Sequence, residues 1–166
     1  MTLAGCATAP DTEAKKADLQ ANVDKAMTRI KTLDPSVQNK LANAYGYAIF
    51  PSVAKGGAIV GGAYGRGEVY EQGKMVGWAD LSQATIGAQL GGQSFSQLIL
   101  FENKAALENF KNGKLKFAAN ASAVALKSGA ADSAGYTDGV LVLVEPISGL
   151  MVEAALGGQS FSFQPV

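Results

Sequence analysis

Residues 46–92 read GYAIFPSVAKGGAIVGGAYGRGEVYEQGKMVGWADLSQATIGAQLGG and hold twelve of the twenty glycines in the chain. These glycines are interleaved with Ile, Val, Tyr, Trp and Leu rather than with Ser, Pro and charge, so the stretch is not a linker. Glycine weakens a strand unless a bulge, a sharp bend or the close approach of another backbone requires it. The stretch therefore predicts a strongly curved β-sheet.

The long strand predicted over residues 57–70 has two unequal faces, because successive side chains of a strand point to opposite sides. One face is nearly bare and carries Ile59, Gly61, Ala63, Gly65, Gly67 and Val69. The other face is bulky and carries Val60, Gly62, Tyr64, Arg66, Glu68 and Tyr70. We expect another layer of the same protein to lie against the bare face.

Periodicity and turn residues predict an α+β fold: a strongly curved, mostly antiparallel β-sheet or barrel-like β domain with N-terminal helices and a short helix near 103–111. Helices are predicted over residues 11–33, 35–44 and 103–111, with Thr12 or Asp11, Asp34 and Asn103 as caps. Strands are predicted over residues 45–50, 57–70, 74–81, 84–91, 93–101, 139–145 and 150–163, with a hairpin turn at 71–73. Residues 115–126 fit either a helix or a strand, and their alternation favours a strand.

One heptapeptide, LGGQSFS, occurs at residues 90–96 and again at 156–162. Two copies without a short period do not indicate a solenoid. We expect two related hairpin halves, each bending at its Gly-Gly pair, that meet in one closed or nearly closed sheet.

The chain has 166 residues, a formal net charge of zero, no histidine and a single cysteine, Cys6. This length fits one domain, predicted over residues 11–166, preceded by an anchor and tether at 1–10. Zero net charge argues against nucleic acid as a partner. Without histidine or a second cysteine, the commonest general base and metal ligands are missing, and no metal, cofactor or disulfide is expected.

Leu3-Ala4-Gly5-Cys6 resembles the lipobox of bacterial lipoproteins, in which the cysteine is acylated. The resemblance implies a lipid on Cys6 and a location in the bacterial cell envelope. Ala7, rather than an Asp, follows the cysteine and favours the outer membrane, with the protein facing the periplasm. The alternative is an unmodified thiol in an N-terminal tail.

Three basic groups are candidates for contact with lipid phosphate, where lysine acts as a point charge. Lys25 and Arg29 lie on the basic side of the first helix, which is either a membrane-surface helix or a helix packed on a sheet. Lys111, Lys114 and Lys116 surround a predicted turn at Gly113, and Lys55 follows Pro51; solvated loop charge is the alternative for both. The aromatic residues Tyr64, Tyr70 and Trp78 fit either a membrane-interface belt or a sheet face.

Ser52 and Lys55 fit the S-x-x-K pattern of serine penicillin-recognising enzymes. In those enzymes the nucleophile opens a helix, whereas Lys55 leads into Gly-Gly and a strand. A hydrolase using this pair is therefore the weakest of the functional hypotheses, and no catalytic residue is predicted.

The ordered segments YAIFP at 47–51, KGG at 55–57, Gly61-Gly62 and the run from Gly65 to Tyr70 resemble the SYLF domain family, a lipid-binding domain of actin-patch and related proteins. The likeness continues through GWADLSQATIGAQLGGQSFSQLILF to GLMVEAALGGQSF and covers about residues 35–163. Eukaryotic members bind phosphoinositides and some bundle actin, whereas bacterial members look like envelope lipoproteins. The resemblance makes Lys55 and its loop a candidate headgroup site.

Together these features predict a non-catalytic, lipid-anchored envelope protein whose curved β domain binds phospholipid or a membrane surface. The alternative is a structural or protein-interaction module that docks an envelope protein and has no specific lipid ligand.

Overall fold

The computed structural model describes residues 8–55, 62–83, 94–118, 120–147 and 155–166. Of Lys55 it describes the backbone but not the side chain. Its helices are α1 (Glu13–Leu33), α2 (Val37–Asn43), α3 (Lys104–Lys111) and α4 (Ala130–Ser133). Its strands are β1 (Gly46–Lys55), β2 (Ala63–Glu71), β3 (Lys74–Gln83), β4 (Phe95–Phe101), β5 (Val124–Ala125), β6 (Val140–Pro146) and β7 (Gln159–Pro165). The predicted strand at 84–91 lies outside the described residues, as do parts of those at 57–70, 93–101 and 150–163.

The seven strands form one sheet in the order β5-β6-β4-β1-β2-β3-β7. Every neighbouring pair is antiparallel except β5 and β6, which are parallel. The α+β class and the mostly antiparallel sheet are therefore confirmed.

The sheet is strongly curved, as the ring of Phe50 on β1 and that of Phe161 on β7 demonstrate. These strands are three steps apart in the sheet order, which on a flat sheet is about 14 Å. Their ring centroids nevertheless lie 6.0 Å apart. Phe161 also packs on Phe110 of α3, with centroids 5.1 Å apart. The face that carries these rings is therefore concave, and α3 covers it.

Glycine makes this curvature sterically feasible on β2. A methyl group at Gly67 would stand 2.1 Å from the carbonyl oxygen of Ile49 on β1, and one at Gly65 would stand 2.8 Å from that of Ser52. Neither contact is tolerable for a side chain, so only glycine allows the two strands to approach in this way. The bare face predicted for this strand is confirmed for Ala63, Gly65, Gly67 and Val69, which are buried on the concave side.

Three helices, α1, α2 and α4, lie on the convex face of the sheet. The apolar stripe of α1 (Leu19, Val23, Ala26 and Ile30) is buried together with sheet residues that include Ile49, Leu98 and Leu143. Thr12 caps α1 by accepting a hydrogen bond from the Lys15 N–H, as predicted. The apolar side of α1 is thus that of a helix packed on a sheet, while Lys25 and Arg29 on its other side are exposed.

β1 was predicted to end at residue 50, but it continues to Lys55. The register of β1 shifts between Ile49 and Ala54 against β2, and between Phe50 and Val53 against β4. Pro51 lies within this irregular stretch, where a residue that lacks an N–H does not break a regular ladder. The bulge therefore allows a central strand to contain a proline.

The strand predicted over residues 115–126 is wrong over most of its length, since only Val124 and Ala125 pair in the sheet. The alternation itself is real: Leu115, Phe117 and Ala121 pack on the concave core. The segment lacks a continuous backbone partner, which alternation cannot reveal. The loop predicted over residues 128–138 contains the short helix α4, and the second helix begins at Val37 rather than at residue 35.

A closed barrel is not shown. Within the described residues the sheet ends at β5 and at β7. A single bridge between Ser122 and Ala155 joins the segments that precede these two strands. Phe95 and Phe161, which are equivalent in the repeated heptapeptide, both lie in the concave core, whereas Leu90, Gly91, Gly92 and Gln93 of the first copy lie outside the described residues.

Candidate functional site

One groove of about 460 Å³ lies where α1 crosses the bulge of β1 and the end of β6. We call it the basic groove. It is lined by Asn22, Lys25, Arg29, Pro51, Ser52, Glu145, Pro146 and Ile147. It therefore joins two predicted headgroup candidates, Lys25 and Arg29, to the Pro51 segment that leads to a third, Lys55.

A chain of hydrogen bonds fixes the wall of the basic groove. The Arg29 Nε donates to both carboxylate oxygens of Glu145 at 3.3 Å, and its Nη2 donates to the Ser96 Oγ at 3.3 Å. The Ser96 hydroxyl in turn donates to the carbonyl oxygen of Pro51 at 2.7 Å. Arg29 thus connects α1 to β4, β6 and the β1 bulge, and Glu145 balances much of its charge.

Among the described residues, Lys25 is the cation of the basic groove that makes no ion pair, whereas Arg29 pairs with Glu145. The Lys25 side chain is exposed, and it also lines an adjoining hollow of about 440 Å³ with Asp24, Thr28 and Arg29. At the other wall Ile147 is 45% exposed. An exposed cation beside an exposed apolar side chain suits the boundary between lipid headgroups and acyl chains.

Lys111 forms ion pairs with two glutamates of the folded domain. Its Nζ lies 3.1 Å from Glu71 and 3.4 Å from Glu108, and it stands over the Phe163 ring at 5.6 Å. A hydrogen bond from the Tyr45 hydroxyl, together with Lys111, holds the pKa of Glu71 below its usual range. Lys111 is therefore committed to a carboxylate network.

The two neighbouring candidates, Lys114 and Lys116, are exposed. Lys116 stands at a second hollow of about 420 Å³ between the 115–122 segment and β6. The lining of this hollow is mostly apolar and includes Leu115, Phe117, Val142 and Leu156. The structure thus separates Lys116 from the basic groove.

Of the remaining predicted site residues, only Ser52 is fully described by the structure. Cys6 lies outside the described residues, and Lys55 is the last residue of β1, with its side chain outside the described part. Ser52 lies within β1 and is exposed, so it does not open a helix as the S-x-x-K pattern requires.

Sequence reasoning missed Glu145, Ser96 and Ile147. Arg29 and Glu145 are 116 positions apart, so no spacing rule connects them. The available signal was the short segment between the strands predicted over 139–145 and 150–163, which carries the apolar residue Ile147.

In the described part of the chain, no helix is both long enough and apolar enough to cross a bilayer. No group of three or more acidic, histidine or cysteine side chains there is placed to hold a metal ion.

Fold and groove define an α+β module with one curved, mostly antiparallel sheet, a packed concave core and a basic groove on its convex side. The family model described as "Ysc84: Las17-binding protein actin regulator" matches residues 82–164, which is half of the chain. The chain belongs to this family, the SYLF family.

Beta cell expansion factor A of Aeromonas veronii is similar to this chain, with 29% identity over 152 residues. The matched region is 89% of this chain but 58% of that protein. The chain therefore spans little more than half the length of this curated relative.

Proposed function

We propose that this protein is a non-catalytic, lipid-anchored module of the bacterial cell envelope that binds phospholipid through the basic groove. The anchor is a lipid on Cys6, and the location is the periplasmic side of the outer membrane. Membership of the SYLF family supports a module for lipid or for actin-patch proteins in general, and the basic groove favours lipid for this chain.

The observation that carries the proposal is the meeting of Lys25, Arg29 and Ile147 in one groove. A phosphate needs a cation, for which Lys25 is the exposed donor. Arg29 adds further N–H groups, although Glu145 already engages its Nε. Ile147 provides apolar surface at the same rim, where it can enter the acyl region of a bilayer.

The experiment is co-sedimentation of a Cys6→Ser protein with vesicles of phosphatidylcholine and phosphatidylglycerol at low salt. We expect the unlipidated domain to bind, and Ile147→Ser to weaken this binding. Leu33→Ser is the matched control, because Leu33 is 40% exposed but does not line the basic groove.

Two results would overturn the proposal. Absence of binding to anionic and to zwitterionic vesicles would favour a protein-interaction module whose acyl group alone meets the membrane. Equal losses of vesicle binding in Ile147→Ser and Leu33→Ser would show that the basic groove is not the lipid-binding site.

A further inference from the structure

Thr8 and Ala9, the first described residues of the chain, are bound to the sheet. The backbone N–H groups of Thr8 and Ala9 both donate to the Gln164 Oε1, at 3.2 and 3.1 Å. The Thr8 and Ser162 hydroxyl groups are 3.0 Å apart. Thr8, Ala9 and Pro10 are all buried. We call residues 8–10 the strap.

The strap begins two residues after Cys6 in the sequence, and two residues of chain span at most about 7 Å. Thr8 is fixed on the outer, convex side of β7 by Ser162 and Gln164. An acyl group on Cys6 would therefore bring this part of the domain to the bilayer.

The surface beside the strap has the chemistry of a membrane interface. Trp78 on β3 is the register partner of Gln164 on β7, and it is half-buried. The Lys16 Nζ stands 4.9 Å from the centre of its ring and also pairs with the Glu13 carboxylate at 3.3 Å. Tryptophan beside lysine is favoured at the headgroup level, where an apolar ring meets water and phosphate.

We propose that the outer face of β3 and β7 around Trp78 and Gln164 lies against the bilayer, oriented by the strap. This surface is distinct from the basic groove, but the proposal rests on the anchoring function proposed above. Lys25 is twelve residues beyond the start of α1 at Glu13, about 18 Å along the helix axis. One bilayer contacts both surfaces when α1 lies along it.

The first test concerns the strap alone and needs no membrane. Amide hydrogen exchange of Thr8 and Ala9 is measured in the parent and in Gln164 variants. Gln164→Ala removes the acceptor and should speed exchange at both amides by on the order of tenfold, the equivalent of about 1.4 kcal/mol. Gln164→Glu keeps an acceptor oxygen and should retain protection. Ser160→Ala, at an exposed position of the same strand, is the control. Equal exchange rates in the parent and in Gln164→Ala would show that Gln164 does not hold residues 8–10 on the sheet.

The second test uses the fact that Cys6 and Trp78 are the only cysteine and the only tryptophan. The protein is coupled through Cys6 to a maleimide lipid in phosphatidylcholine and phosphatidylglycerol vesicles that contain brominated lipid. We expect Trp78 fluorescence to be quenched in the parent and in Gln164→Glu, with less than half of that quenching in Gln164→Ala.

Each outcome of the second test decides a separate claim. Unquenched Trp78 in the coupled parent would overturn the membrane-facing surface, and equal quenching in Gln164→Ala would overturn its orientation by the strap. The lipid is attached chemically, so neither result depends on acylation in the host or on the basic groove. Failure of the proposed function would instead appear in the co-sedimentation experiment.

Discussion

Gln97 on β4 and Gln159 on β7 exchange two side-chain hydrogen bonds, each 2.9 Å long. Their strands are four steps apart in the sheet, about 19 Å on a flat sheet. Both side chains are buried on the concave side, where buried Gln83 is the register partner of Gln159. The pair therefore closes the concave side by linking the central strand β4 to the edge strand β7.

Replacing one member of this pair should cost more than replacing both. Gln97→Leu leaves the Gln159 amide buried and unpaired, so the free energy of unfolding should fall by about 1–3 kcal/mol. The double variant Gln97→Leu/Gln159→Leu removes both partners and should be less destabilised than the sum of the single changes. Urea unfolding of the four proteins measures this coupling. Strictly additive losses would contradict the account.

The tight approach of β1 and β2 should make Gly67 irreplaceable. In Gly67→Ala the new methyl group meets the Ile49 carbonyl oxygen at 2.1 Å unless the strands move apart, and we expect a loss of about 1–3 kcal/mol or more. The control is Gly135→Ala, since nothing lies within 4 Å of a methyl group there. Thermal unfolding should separate the two variants. A Gly67→Ala protein as stable as Gly135→Ala would show that the sheet is less curved.

Asp34 should make stability depend on pH. Burial opposes its ionisation, but hydrogen bonds from Ser36 and from the N–H groups of Ala131 and Gly129 outweigh that cost and hold its pKa below the usual range. A depressed folded-state pKa stabilises the fold above the unfolded pKa, about 3.9. This contribution is lost as pH falls through the folded-state value.

Asp34→Asn should therefore be less stable than the parent at pH 7, by about 1–3 kcal/mol. The difference should shrink as pH falls below about 4. Urea unfolding at pH 7, 5 and 3 measures it, with the exposed Asp18→Asn as the control. A deficit that stays constant over this range would mean that the Asp34 charge does not contribute.

Lys111 should contribute to the stability of the folded protein rather than to lipid binding. Because it joins Glu71 and Glu108 in a partly buried network, Lys111→Ala should lower the free energy of unfolding by about 1 kcal/mol, the upper end for exposed ion pairs. Its vesicle binding should stay within twofold of the parent. Lys114→Ala serves as the comparison, since Lys114 is exposed and should change stability little. A large loss of vesicle binding in Lys111→Ala alone would return this residue to the lipid site.

Much of the fold could be predicted from local patterns. The apolar periodicity from Leu19 to Ile30 predicted α1 but left its packing on the sheet open, and the bare face of β2 predicted the concave core. Caps at Thr12 and Asn103 follow from side-chain chemistry that acts within three residues. These features depend on short sequence separations.

The rest depends on contacts that the sequence does not encode locally. Continuation of β1 through Pro51 requires a bulge held by Ser96, which is 45 positions away. Most of the alternating 115–126 segment lacks a strand neighbour, because only Val124 and Ala125 pair with β6 as a strand. Of the candidate site, the basic residues were predictable, but Glu145 and Ile147, which shape the basic groove, were not.

The central claim, phospholipid binding through the basic groove, is tested most directly by Lys25→Ala against Lys74→Ala in the Cys6→Ser protein. Both lysines are exposed, but Lys74 opens β3 beside the hairpin turn and does not line the groove. A lysine near an anionic surface contributes about 1 kcal/mol.

The measurement is the partition coefficient onto phosphatidylcholine and phosphatidylglycerol vesicles at low and at high salt. Lys25→Ala should bind about fivefold more weakly than the parent at low salt, Lys74→Ala should match the parent, and added salt should narrow the difference. Equal partition of the two variants at low salt would contradict the account.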